Sequence, residues 1–361
     1  MILIILIAFL SLFSLIVLHE LGHFILAKIF GIKVEEFGVG IPPRIFGKKI
    51  GETIYSLNIL PIGGFVKIYG EEGGIEDYRS FSTKPIWQRS LIILGGVVVF
   101  WIIGFILLSV AMVLGTSTII EDTDNHNLVD PKVQINYVSP GSPAEMAGLK
   151  IGDTIVQLMV GGGQIQTTKV KEVQDFTASH LNKEVTITIQ RGKEIFDTKL
   201  VPRASPPENE GPIGIGLART AIISYPWYQA PIQGAIATIN VTIAIIQGFY
   251  LILKNLIIGA GLPADAQIMG PVGIFALFTQ VTQLGLSYFL RFIAVISINL
   301  AILNILPIPA LDGGKLVFLG IEAVRRKPIS EKIEQPITAF FFVMLIILII
   351  WVTIKDVIRL F

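Results

Sequence analysis

The sequence predicts an α-helical polytopic membrane protein with one polar α+β domain inserted in it. Three observations carry that reading: long uncharged apolar runs, charge concentrated in one segment, and ionisable side chains inside an apolar run. Of 361 residues, 52% are hydrophobic and 15% charged. A soluble domain carries about 25% charged residues. Residues 121–220 hold 23 of the 55 charged side chains, so the remainder of the chain is poorer still. The formal net charge of +1 offers no basic surface for nucleic acid, and none is expected as a partner. With no cysteine, disulfides, thiolate metal sites and a cysteine nucleophile are excluded. A metal would have to sit on His, Asp or Glu.

About 20 apolar residues cross the hydrocarbon core of a bilayer. The first predicted span is 1–30, of which residues 1–18 carry no charge. A signal peptide would need a basic head and a small-residue cleavage site. Here the first Lys is Lys28, at the far end, so a retained span is expected. Residues 31–90 alternate short apolar and polar runs with Gly and Pro turns. They predict a β-rich, membrane-associated loop with strands at Val34–Gly40, Thr53–Ile59 and Gly64–Tyr69. The second span is 91–115.

Residues 121–220 form the polar domain. Val133–Val138, Thr154–Met159 and Val185–Gln190 alternate as strands, with another expected at 211–217. Asp175–His180 belongs to a short helix, and Ser205-Pro206-Pro207 with Glu208-Asn209-Glu210-Gly211 makes a loop. His126 and His180 are expected to be ordinary surface groups. The segment 221–291 is uncharged for long stretches but richer in Gln, Thr, Ser and Gly. It predicts an interfacial or re-entrant helical linker, with extra spans as the alternative. The third span is 292–314, followed by a loop at 315–335, a fourth span at 336–355 and a tail at 356–361. About four spans are therefore expected.

Lys and Arg accumulate in short cytoplasmic loops. Residues 31–90 carry eight and 313–334 carry five, while the first 18 residues carry none. Both loops are expected in the cytoplasm. The polar domain and both termini are expected outside.

His19-Glu20-Leu21-Gly22-His23 lies within the first span. Ionisable groups in a membrane helix are costly and are functional candidates by default. Positions i and i+4 of a helix share a face, so two imidazoles there can hold one Zn2+ ion. The Glu beside the first His is, in this order, a general base rather than a ligand. A pair of helix-end histidines reaching for the interface would account for one His but not for an acid in that position. A catalytic zinc needs a third protein ligand. With no Cys, a carboxylate near the membrane is needed, and Asp312 ends the third span in Asn304-Ile305-Leu306-Pro307-Ile308-Pro309-Ala310-Leu311-Asp312-Gly313-Gly314. Asp followed by two glycines is also an ordinary turn or helix cap. Asp312 reaches the end of the first span that bears the histidines only if an even number of crossings separates the second and third spans.

Asn299 and Asn304 lie in an apolar run, where an amide can act as glue between helices or can bond a substrate backbone. Pro307 and Pro309 break the helix, which is tolerated in a membrane where the chain lines a cavity or is packed in protein.

Together these motifs resemble the site-two protease family of intramembrane zinc metalloproteases, in its bacterial regulator-of-sigma-factor branch. The resemblance runs nearly end to end. It includes Asn58-Ile59-Leu60-Pro61-Ile62-Gly63-Gly64, Ser142 to Asp153, which resembles part of a bacterial PDZ domain, and Gly270-Pro271-Val272-Gly273-Ile274. It implies His19, His23 and Asp312 as zinc ligands and Glu20 as base. It also implies Asn304, Asn299, Asn58, Gly63 and Gly64 as substrate-binding groups. The chain has room for one PDZ-like domain, whereas some members of the family carry two. The expected activity is cleavage of single-span membrane proteins within the bilayer of a bacterial inner membrane. Anti-sigma factors or signal peptides are the expected substrates, with a possible upstream site-one protease as partner. A membrane-anchored PDZ receptor or scaffold, with a structural zinc site, is the alternative.

Overall fold

The computed structural model describes residues 2–71, 75–124, 128–192, 194–207, 210–259, 261 and 269–360. His126 and the 208–209 part of the expected loop lie outside them. The described chain forms two compact units, Met1–Ala111 with Pro226–Phe361, and Met112–Tyr225.

The first unit opens with α1 (Ile2–Ile29), apolar on every face, and continues into β1 (Val34–Ile50) and β2 (Thr53–Ile68). These two strands bend on themselves. Glu36 to Val39 are flanked by Lys67 to Gly64 on one side and by Ile54 to Leu57 on the other, while Lys48 to Ile50 pair with Tyr55 to Thr53. The three short strands expected from the turn residues are thus segments of one hairpin, with a fourth at its tip. Gly64–Ile68 lies at the edge.

Next come α2 (Ile86–Leu114), then in the second unit β3 to β9, and afterwards α5 (Ala230–Ile257), α6 (Pro271–Leu284), α7 (Leu286–Ile305), α8 (Asp312–Arg325) and α9 (Glu331–Leu360). Five helices among the described residues are long and apolar enough to cross a membrane: α1, α2, α5, α7 and α9. The sequence reading gave four. The difference is α5, whose Thr, Gln and Gly residues made it look interfacial. Helical Thr238 and Thr242 instead return their hydroxyls to the carbonyls of Gly234 and Thr238, at 2.7 Å each, so the polar groups are satisfied inside the helix. The region 315–335 is largely helical rather than loop, because α8 occupies its first half.

Helix directions follow from small residues. Gly22 of α1 faces Gly95 of α2, and Gly104 of α2 faces Ile298 of α7. Gly234 of α5 faces Ser109, and Trp101 Nε1 donates to Thr242 Oγ1 at 3.2 Å. Ser297 Oγ of α7 donates to Phe100 O at 2.8 Å. Ala111 and Phe100 of α2 accept from Ser287 and Ser297 of α7, Ser109 and Trp101 meet Gly234 and Thr242 of α5, and Phe100 and Ile92 meet His19 and His23 of α1, so α1, α5 and α7 all run antiparallel to α2. The chain leaves α5 at one end and enters α7 at the other. The chain between α5 and α7 thus returns to the end at which α5 began, which is the arrangement that Asp312 requires. Helix α6, 14 residues and so about 21 Å long, is too short to span alone. Its start is held by Asp356 of α9, whose Oδ2 accepts from Gly273 N at 2.7 Å.

The second unit starts earlier than residue 121, because Gly115 turns the chain with φ +94° and β3 (Thr116–Ile120) pairs with β9 (Ile215–Ile223). Its sheet runs β3-β9-β4-β5-β7-β8, with β6 (Gly163–Gln166) beside β5. Here β4 is Val129–Val138, β5 Thr154–Val160, β7 Val185–Arg191 and β8 Glu194–Leu200. Two short helices complete it. The first, α3 (Pro143–Met146), has Ser142 as N-cap, its Oγ accepting from Glu145 N at 3.2 Å, and Pro143 in the first turn. The second, α4 (Val170–Ser179), contains the expected Asp175–Ser179, and Asp122 caps its start, accepting from Val170 N at 3.0 Å and Lys171 N at 2.8 Å. No local sequence pattern announces a cap supplied from 48 residues away. His180 ends α4, bonded through Nδ1 to Phe176 O at 2.8 Å. Ile135, Ile155, Leu158, Val185, Ile187 and Ile189 form the buried core.

Candidate metal centre

The site is organised by one face of α2. Arg89, Ile92 and Gly96 lie three and four residues apart in succession, which places them on one side of the helix. Ile92 O accepts from His23 Nδ1 at 2.8 Å. That bond fixes the tautomer, so His23 Nε2 carries the lone pair. Gly96 gives the imidazoles their room, for a Cβ there would lie 2.5 Å from His19 Cε1. Phe100, one further turn along, stacks on the His19 ring at 4.6 Å. The approach of α1 that makes this possible rests on Gly22 and Gly95. A Cβ on Gly22 would lie 2.7 Å from Gly95 C.

Asp312 arrives from the other side as the first residue of α8. Leu306 leaves the helical conformation after α7 with ψ 144°, and the chain through Pro307 and Pro309 makes a short irregular turn. Gly313 and Gly314 pack against the backbone of that turn, where a Cβ would meet Ile305 C and Pro309 Cα. The two glycines are required by close backbone approach, not only by a turn. A carboxylate in the first turn of a helix is favoured by the partial positive charge there.

His19 Nε2 lies 3.2 Å from His23 Nε2 and 3.3 Å from Asp312 Oδ2, and His23 Nε2 lies 3.4 Å from that oxygen. The three ligand atoms lie within 4.8 Å of one another. Both histidines are buried, at 7% and 8% exposure. Asp312 Oδ2 is buried without a hydrogen bond. A buried carboxylate oxygen without a hydrogen bond is costly unless something compensates it. A cation among the three would do so, and two imidazoles and a carboxylate are ordinary zinc ligands. The donor set therefore fits zinc.

Glu20 lines a cavity of about 220 Å3 together with His23, Asp312, Lys315, Phe65 and Val66. Gly64 lies against it, since a Cβ there would be 3.4 Å from Glu20 Cγ. The edge segment of the hairpin thus forms one wall. Beside this cavity is a second, of about 600 Å3, lined by Arg89, Phe318, Glu322, Ser330 and Lys332 among others. Glu71 and Lys315 line both, paired at 2.5 Å.

The remaining sequence candidates separate. Asn58 is buried in the hairpin and donates to Val39 O, Gly40 O and Ser56 Oγ at 3.2–3.3 Å, which holds the bend of β1. Gly63 has φ +110° and makes the corner before the edge segment. Asn299 donates back to Val295 O of its own helix at 3.2 Å. Asn304 is partly buried next to the turn that precedes Asp312. The sequence reading missed the part played by α2. Gly95-Gly96 inside an apolar span was its available signal, because small residues mark close helix contact in membranes.

Comparison with known proteins gives a consistent result. The profile of peptidase family M50 matches residues 7–348. A Clostridium perfringens protein described as a candidate zinc metalloprotease is 36% identical over 358 residues, covering 97% of each chain. The regulator of sigma-W protease RasP of Bacillus subtilis is 29% identical, with 98% of each chain covered. The zinc metalloprotease RasP of Oceanobacillus iheyensis is 28% identical, covering 98% of this chain and 99% of its own. The Bacillus alignment extends over 437 positions against 361 residues here, so at least 76 positions of it fall opposite gaps.

Proposed function

The chain belongs to peptidase family M50, the site-two protease family of zinc metalloproteases, and from that premise we propose that it cuts transmembrane segments of single-span proteins within the bilayer. The observation that carries this is the convergence of His19, His23 and Asp312 beside Glu20, in a cavity walled by a strand edge. His19, His23 and Asp312 are the zinc ligands in this reading. Zinc, when bound, polarises the scissile carbonyl and makes water acidic enough to lose a proton near neutral pH. Glu20 takes that proton and delivers it to the leaving amine, so one carboxylate serves both halves of the reaction. The cavity is small, which limits the water that can surround this exchange.

A transmembrane helix must be unwound before its amides can be hydrolysed. At the edge of the hairpin, Gly64–Val66 pair with Phe37–Val39 on one side, and the other side is assigned to main-chain pairing with an extended substrate. Asn58 and Gly63 serve this by shaping the segment. Asn304 is assigned the substrate backbone, while Asn299, bonded into its own helix, is the weaker candidate.

The second unit is proposed to be PDZ-like and extracytoplasmic. Ile215–Ala218 of β9 pair with β4 on one side only, whereas β3 covers Arg219–Ile223 on the other. That leaves a short edge for an extended peptide end. The proposed setting is the bacterial inner membrane, with anti-sigma factors or signal peptides as substrates, delivered after trimming by an upstream site-one protease. A scaffold with a structural zinc would have no use for Glu20 in the metal cavity.

Glu20→Gln, with a model single-span substrate in liposomes, is the test. The neutral amide cannot accept the proton, so cleavage should fall by at least about a hundredfold while zinc is retained. Undiminished cleavage would reject the assignment.

A further inference from the structure

We propose that Arg89 is a positioning residue for the metal ligands, acting through Glu322 and helix α8. The proposal rests on the zinc reading of His19, His23 and Asp312. Arg89 Nη2 donates to Glu322 Oε1 at 2.5 Å and Nη1 to Oε2 at 3.1 Å, two parallel bonds that fix both distance and orientation. Arg89 is 8% exposed and Glu322 is largely covered. A buried ion pair of this kind adds little net stability over apolar side chains of the same volume. Its contribution here is geometric.

Arg89 stands on the same face of α2 as Ile92, whose carbonyl holds His23, and Gly96, which receives both imidazoles. Glu322 stands on the helix that begins with Asp312. The ion pair therefore ties the element carrying the carboxylate ligand to the element that orients the histidines. Helix α8 is pinned at its start by Gly313 and Gly314 against the preceding turn. The pair pins it about 15 Å further on, three turns away. Two fixed points define the roll of the helix, which one does not. With side chains reaching about 5 Å from the axis, a roll of about 20° would move the Asp312 carboxylate by nearly 2 Å. Metal–ligand distances tolerate roughly a tenth of that. The neighbouring Lys315–Glu71 pair is unlike it, with the Lys side chain 46% exposed and a single bond.

The experiment is zinc affinity, measured by chelator competition on the full chain in detergent, with helix content followed by circular dichroism. Arg89→Met and Glu322→Gln should each weaken zinc binding about tenfold, as loss of a ligand-orienting partner does, with helix content unchanged. The double variant should be no weaker than either single one, and exchange of the two residues should recover part of the loss. Arg89→Lys keeps the charge but not the two parallel bonds, and should fall between wild type and Arg89→Met. It also decides the matter if Arg89→Met does not fold. Wild-type affinity in a folded Arg89→Met, or in Arg89→Lys where the former is unavailable as folded protein, would overturn the proposal. A thermal stability loss with unchanged affinity would also overturn it, since that is the mark of a merely structural pair. His19→Ala belongs in the same assay. If it loses zinc while Arg89→Met does not, only this inference fails. If it keeps zinc, the metal site itself is rejected.

Discussion

Gly96 shows how much of the centre depends on an atom that is missing. His19 and His23 fill the space where its side chain would be, and a methyl group there would stand 2.5 Å from His19 Cε1. Neither imidazole can retreat, because Ile92 O holds His23 and Phe100 lies flat on His19. Gly96→Ala is therefore expected to abolish stoichiometric zinc binding while helix content stays within a few per cent of wild type. Metal analysis of the purified protein checks this. Zinc at one equivalent in the variant would mean that α1 shifts freely along α2. At this scale the sequence was legible where chemistry is local: His19, Glu20 and His23 declare themselves by spacing on one helix. Asp312 needed a topological argument, and Gly96 and Arg89 could not be assigned roles because their partners lie about 70 and 230 residues away. Asn58 and Asn299 were legible as unusual polar residues, but which of a substrate, a strand or their own helix they bond depends on backbone geometry that composition does not carry.

Among the elements, strands were easier to place than their limits. Alternation in Val133–Val138, Thr154–Met159 and Val185–Gln190 matches β4, β5 and β7 within a few residues, since one face of each is buried in the same core. The turn before β5 is fixed by Asp153, 1% exposed, which accepts from Arg191 Nε and Nη2 at 2.7 Å and from Lys150 N at 2.8 Å. Burial alone would push this carboxyl up; its bonds to Arg191 and the Lys150 amide outweigh that and hold it below the ordinary carboxylate value. A depressed native value means that the unfolded state binds the proton more readily. The stabilisation is complete above the unfolded pKa, about 3.9, and is lost as pH falls through the lower native value. Hydrogen exchange of the β5 and β7 amides, measured on the full chain, should thus lose protection on acidification below about pH 4. Asp153→Asn should remove about 2 kcal/mol of that protection at neutral pH and flatten its acid dependence. An unchanged acid limb in the variant would assign the effect to other carboxyls.

The arrangement of the whole first unit reduces to direction. Helices α1, α5 and α7 all run against α2, which is what lets the Asp312 carboxylate at the start of α8 meet His19 and His23 near the end of α1. Four spans and five candidate spans give the same answer, because what matters is that α7 is parallel to α1. Hydropathy could not see this: α5 is long enough to cross, α6 is not, and the return between them is a matter of packing rather than composition. The side of the membrane proposed for the metal centre rests on the distribution of Lys and Arg. Residues 31–90 and 313–334 are basic, and residues 121–220 carry 13 acids against 10 bases, so the near-zero net charge is a sum over segments of opposite sign. The absence of cysteine makes the orientation directly measurable. A single cysteine at Lys327, exposed after α8, should resist a membrane-impermeant thiol reagent applied to intact cells, and should react once the membrane is opened. One at Thr123, exposed after β3, should react without permeabilisation. Reaction at Lys327 and protection at Thr123 would turn the protein over and place the metal centre toward the outer face, where released fragments could not reach the cytoplasm. Protection of both would put the second unit and α8 on one side, which would require an even number of crossings between Thr123 and Lys327 and so no return between α5 and α7.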